Sequence, residues 1–125
     1  ATDSRIPRSP LPPSRRKSSM VTVQFQLNGR AIQSVEMTGH AGYGPEGQDI
    51  VCAAVSSAVM LTHVHICDVL GEDLICQVDE SVPRIFLQVP EEHPNKGVQN
   101  ALSALMLHLV NLKEEYSDFM DVLEV

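Results

Sequence analysis

The chain of 125 residues has no tryptophan, no CxxC pair among its 3 cysteines and almost no positive charge outside its first nineteen positions. Each absence excludes something. Without paired cysteines there is neither a zinc ribbon nor a thioredoxin-type redox motif, and the odd count of Cys52, Cys67 and Cys76 does not suit a disulfide scaffold, so a reducing cytoplasm is the expected compartment. No apolar h-region opens the chain, which excludes a secretory signal. The single long apolar run, Ile50 to Leu70, is interrupted by Ser56, Ser57, Thr62, His63, His65 and Asp68 and is flanked by acids, so it reads as a buried helix of a soluble protein and not as a membrane span. Internal repeats and coiled-coil heptads are absent as well.

Arg5, Arg8, Arg15, Arg16 and Lys17, with Pro7, Pro10, Pro12 and Pro13, make residues 1–19 a basic, proline-rich stretch without hydrophobic periodicity. It reads as a disordered leader added to the domain, the alternative being a native basic arm. Residues 20–125 form one domain with a core of ordinary size. From Met20 onward 4 basic residues face 15 acidic ones, a net charge of −11. Such a body repels nucleic-acid phosphates and anionic lipid and attracts basic partners, more strongly at low salt.

Val21, Val23, Phe25 and Leu27 alternate with polar residues, and Asn28-Gly29 supplies a tight turn before Ile32 to Met37, so two antiparallel strands open the domain. A glycine-rich loop follows, ending at Asp49 as the cap of a helix from Ile50 to about Leu70. Leu74 to Val78 and Arg84 to Val89 read as strands, and Val98, Ala101, Leu102, Leu105, Met106, Leu109 and Leu112 form the stripe of a second helix starting near Asn95. The predicted fold is α+β, an antiparallel sheet with two helices on one face in the order strand-strand-helix-strand-strand-helix, with Phe119 to Val125 as a further edge strand. An uncovered second face of that sheet would favour self-association, and a homodimer is expected.

Chemistry concentrates in Thr38 to Ala54. With Asp49 as the cap, Cys52 falls in the first helical turn, where unpaired N–H groups and the helix dipole stabilise a thiolate. The glycines between it and His40 allow the imidazole to approach the sulfur, a Cys/His pair for nucleophilic catalysis. The plainer reading is a small buried Cys52 and a loop His40. Asp49 likewise reads as a helix cap or as a carboxylate orienting the pair. Gly39, Ala41, Gly42, Tyr43, Gly44 and Gly47 form a loop suited to controlling substrate access.

Gly42-x-Gly44-x-x-Gly47, with Asp68 and Glu72 downstream, matches a dinucleotide fingerprint in form, but a strand already paired through a hairpin is not the parallel βαβ unit such a site needs. His63, His65 and Cys67 would share a side only on a strand, and their surroundings are helical, so no metal site is expected. Lys113-Glu114-Glu115 reads as a solvated helix end.

The run Gly39-His40-Ala41-Gly42-Tyr43-Gly44-x-x-Gly47-x-Asp49-Ile50-Val51-Cys52-Ala53-Ala54-Val55-Ser56 resembles the signature of the bacterial ribosomal-processing cysteine proteases, the Prp family. The similarity extends from about Met20 to the end, including Glu115-Tyr116. It implies a cytoplasmic α+β homodimer with Cys52 and His40 as the catalytic pair, Asp49 on a motif position, and no metal or cofactor. It also implies a basic substrate, the precursor of large-subunit ribosomal protein number twenty-seven, whose N-terminal extension is removed after an aromatic residue. A non-catalytic homodimeric module that binds a ribosomal protein through the glycine loop is the alternative, and nucleotide binding comes third.

Overall fold

The computed structural model describes residues 20–39, 46–79, 84–90 and 95–125, with the backbone alone for 46–49. Strands β1 (Val21–Asn28) and β2 (Ala31–Thr38) pair antiparallel across a two-residue turn in which Gly29 takes φ 66°, a left-handed conformation that glycine adopts without strain. Gln33 is an extra residue on β2: Gln26 faces Ser34, but Leu27 already faces Ile32. This bulge returns Ile32 to the face that carries Val35 and Met37, so all three are buried although strict alternation would have turned Ile32 outward.

Strands β3 (Ile75–Asp79) and β4 (Arg84–Gln88) form a second antiparallel hairpin, and β4 docks antiparallel on β2. The fifth strand, β5 (Met120–Glu124), pairs parallel to β1 and completes a five-stranded sheet in the order β3-β4-β2-β1-β5. The predicted edge strand therefore forms, but it makes the sheet mixed instead of wholly antiparallel. A helix connects β4 to β5, which lets the chain re-enter the sheet in the parallel sense as a short hairpin cannot.

Helices α1 (Glu46–Val64) and α2 (Lys96–Glu115) pack against each other and on the sheet around one core. Val21, Val23, Phe25 and Val35 from the sheet meet Val51, Val55 and Val59 of α1 and Leu102, Leu105 and Leu109 of α2. By length and composition alone, 50–69 is apolar enough to cross a membrane; one stripe of it, Val51, Val55, Val59 and Ile66 at 0–1% exposure, enters the core, but only 33% of the segment is buried, less than the largely buried helix expected. The helix continues into a π-helical turn, His65–Val69, closed by the Leu70 N–H donating to the His65 carbonyl, and Gly71 at φ 70° ends it.

Helix α2 is held at its start by Asn95, whose Oδ1 accepts from the Val98 N–H at 3.1 Å while its Nδ2 donates to Glu72 Oε2 at 2.9 Å. One turn on, the Gln99 side-chain amide behaves like a strand neighbour: it accepts from the Ile32 N–H at 2.8 Å and donates to the Ile32 carbonyl at 3.0 Å. At the far end Lys113 pairs with Asp121 of β5 at 2.6 Å, so Lys113 is not merely a solvated end residue. That ammonium, hydrogen-bonded to the carboxylate, holds the Asp121 pKa below its ordinary value against the opposing effect of partial burial.

Candidate active site

Helix α1 begins at Glu46, three residues before the expected cap. Asp49 is thus its fourth residue and not its cap, Gly47 belongs to the first turn and not to the loop, and Cys52 is the seventh residue, in the second turn. The unpaired N–H groups of the helix start belong to the turn ahead of Cys52, so the dipole acts on the sulfur less directly than a first-turn position would provide. Glycine is tolerated there because first-turn amides make no intrahelical bond. His40, Ala41, Gly42, Tyr43 and Gly44 lie outside the described residues, as do residues 1–19, and the side chain of Asp49 is outside them too.

Cys52 is a free thiol, 8% exposed, between the fully buried Val51 and the next core residue of its face, Val55. Its place against the sheet is set one turn later by Ser56, a motif residue to which the sequence alone assigns no role. Ser56 Oγ donates to the Cys52 carbonyl at 2.7 Å and stands 3.6 Å from Met37 Sδ. The turn carrying the thiol is therefore laid against the last residues of β2. Gly39, which follows β2, packs on β1: a Cβ at this position would stand 3.1 Å from Val21 Cα, closer than a side chain sits without displacing the strand. Gly39 and the turn that carries Cys52 therefore lie at the same end of the sheet. The spacing of Ser56 four residues after Cys52 was the available signal, since a serine at i+4 can back-bond the carbonyl.

The other cysteines lie elsewhere. Cys67 sits in the π-helical turn, where burial pushes its thiol pKa up; the Leu74 N–H pulls the other way, while Asp68, Asp73 and Cys76 add to the rise. A thiol held in its protonated form is a poor nucleophile. Cys76 is exposed on β3. His63 and His65 lie in the last turn of α1 and the π-helical turn, so with Cys67 they follow a helical path and diverge. The dinucleotide reading loses its premise as well. β2 and β3, joined through α1, run parallel, but β4 is inserted antiparallel between them, which splits the βαβ unit a nucleotide crevice needs.

An antiparallel hairpin layer under two helices, with a buried thiol on the helix that leaves a glycine-rich loop, defines a class of small α+β thiol enzymes. Comparison with known proteins gives that class its family. The family model described as cysteine protease Prp matches residues 20–121. The ribosomal processing cysteine protease Prp of Bacillus subtilis is 29% identical over 96 residues, covering 77% of this chain and 86% of the relative. The protein of that name from Staphylococcus aureus is 27% identical over 100 residues, covering 79% and 93%. Among solved structures, a Streptococcus mutans protein superposes with TM-score 0.80 at 29% identity over 87% of this chain and 97% of that one. The S. aureus Prp structure with a covalently linked product peptide superposes with TM-score 0.75 at 25% identity over 85% and 100%. The chain belongs to the cysteine protease Prp family and is a cysteine protease.

Proposed function

We propose that the protein is a cytoplasmic endopeptidase that removes the N-terminal extension of large-subunit ribosomal protein number twenty-seven, cutting after an aromatic residue during ribosome maturation. The observation that carries this reading is the family match over 20–121 together with the placement of Cys52 against the end of β2. In the mechanism His40 takes the Cys52 proton and the thiolate attacks the scissile carbonyl. The tetrahedral intermediate collapses to a thioester as His40 protonates the leaving amine. Water, deprotonated by the same histidine, then releases the carboxylate product and the thiol. The Cys52 amide is inside α1, so the oxyanion donors belong to the loop before the helix or to its first turn. The −11 charge from Met20 onward favours encounter with a basic ribosomal precursor.

The active form is a homodimer. The open face of the sheet is mixed, with Phe86, Ile75 and Leu123 among Thr22, Gln24, Gln26, Glu36, Arg84 and Gln88. Exposed apolar surface also lies on the helices: Leu61, 67% exposed, lines a groove of about 450 Å³ between α1 and α2 with Ala54, Ala58, Ala101, Ala104 and the polar His65 and His108, and Leu107 of α2 is 63% exposed. Uncharged knobs beside a small-residue groove are self-complementary, as a two-fold interface requires, on a body whose net charge otherwise repels a second copy. Leu107→Glu is expected to give a monomer by light scattering.

Incubation with a synthetic peptide spanning the extension, read by mass spectrometry for the intact protein, Cys52→Ala and His40→Ala, tests the function. The expected outcome is one cut after an aromatic residue, lost in both variants. No cut by the folded protein would leave the non-catalytic binding module as the better account of this substrate.

A further inference from the structure

The helix layer stops short of one edge of the sheet. Along the row Phe25–Val35–Leu87–Cys76 the first three side chains are 0–1% exposed, whereas Cys76 on β3 is exposed. The next row repeats this, from Val23 at 0% through Met37 at 4% and a half-buried Ile85 to Val78 at 56%. All five residues of β3 are exposed, on both faces, and among the described residues no strand pairs with its outer side. The strand contains none of the lysine, proline or bulge devices that usually protect an edge. The opposite edge differs, because β5 carries the buried Met120 and the Lys113–Asp121 pair to α2.

The surroundings of β3 are predominantly acidic, with Arg84 facing Asp79 across the β3–β4 pair. No Lys or Arg occurs between Arg30 and Arg84, while Asp68, Glu72, Asp73 and Asp79 lie on the strand or the turn leading to it. Arg84, at the end of β4, is paired with Glu36 and stacked 5.1 Å from the Phe86 ring centroid.

We propose that the outer edge of β3 is an exosite, at which an extended basic segment of the polypeptide substrate adds as a further strand, its apolar side chains on the helix-side face beside Val78 and its basic side chains on the opposite face, which carries Ile75. Unpaired backbone groups of the edge provide the hydrogen bonds, and the carboxylates select the charge. Direction and reach suit this role: Asp79 is level with Arg84 and Thr38, so β3 points toward the end of the sheet that holds the Cys52 turn. A strand added outside β3 lies about 14 Å from β2, a span of about four extended residues at ~3.3 Å each. The exosite thus engages substrate several residues away from the scissile bond. This rests on the proposed endopeptidase reading for the identity of the occupant.

Two synthetic peptides test it: one reaching about three residues either side of an aromatic cleavage point, and one lengthened by about six alternating Lys and Val residues on each side. The intact protein is expected to favour the long peptide about tenfold in kcat/KM through a lower KM, and the double variant Ile75→Lys, Val78→Lys, altered only at exposed side chains, to lose that preference while cutting the short peptide at the unchanged rate. Equal rates on both peptides for the intact protein, or an equal loss on both in the variant, overturns the exosite. Amide exchange of 75–79 in Cys52→Ala with the long peptide gives a readout independent of cleavage. Protection in Cys52→Ala, when the intact protein cuts neither peptide, upholds the edge and sinks the endopeptidase reading, the comparison of rates then being replaced by the exchange result, and no protection overturns the edge. Protection in the free protein that grows with its concentration also overturns it, by showing that a second copy occupies the strand.

Discussion

The two helices are built to different rules. Helix α2 is tied at every level: Asn95 caps it, Gln99 clamps the backbone of Ile32, and Lys113 reaches Asp121. Among the described residues, helix α1 shows no such ties to the sheet beyond apolar packing and the Ser56 contact to Met37, and it ends in a π-helical turn. One helix is a strut whose polar contacts fix its position. The other carries the Cys52 thiol in its second turn and owes its position to the core beneath it.

Substitutions should separate the two roles. The largest effect expected is on turnover: Cys52→Ala or His40→Ala lowers kcat/KM by at least ~10³-fold, as losing one member of a nucleophile–base pair does. For Cys52→Ala the melting temperature, read by calorimetry, should stay within a few degrees, since only the small thiol is removed. Leu102→Ala, at 1% exposure in α2, should do the opposite, costing about 2–5 kcal/mol in denaturant unfolding while the folded fraction keeps its kcat. Gln99→Leu should cost ~1–3 kcal/mol because it strands the Ile32 N–H and carbonyl, and Asn95→Ala about 1 kcal/mol through the lost cap.

The smallest expected effect is on acid stability. The folded-state pKa of Asp121 is depressed by Lys113, so the pair's stabilisation is present above the unfolded carboxylate value of about 3.9 and is lost as pH falls below it toward the folded value. Both partners are about 40% exposed, at 40% and 39%, which limits the contribution to about 0.5 kcal/mol. Lys113→Met should therefore lower stability slightly at neutral pH and leave it unchanged at pH values well below that range, measured as denaturant midpoints.

The contrast between the helices also explains what was legible in the sequence. Helix α2 obeys local rules, a capping Asn95 and an apolar stripe, and its observed span of Lys96–Glu115 is the one its pattern announces. In α1 the first turn contains Gly47 and Asp49, residue types that belong equally to a loop and its cap, so its expected start at Ile50 is four residues too late and puts Cys52 one turn too near the end. The hairpins were legible because Asn28-Gly29 and the period of two act over a few residues. The bulge at Gln33, the parallel sense of β5 and the Gln99 clamp were not, for each depends on a partner far along the chain, 67 residues away in the clamp. The motif around Cys52 named the family, but only the fold revealed that Ser56 rests the thiol's turn on Met37 and that β3 is left bare.

Trapping the covalent intermediate tests the central claim most directly. The intact protein is mixed with the extension peptide, quenched in acid within the first turnover, digested and sequenced by mass spectrometry. The account predicts the N-terminal product fragment attached as a thioester to Cys52, absent in His40→Ala. An adduct on Cys67 or Cys76, or peptide cleaved with no adduct on Cys52 at any quench time, would contradict it.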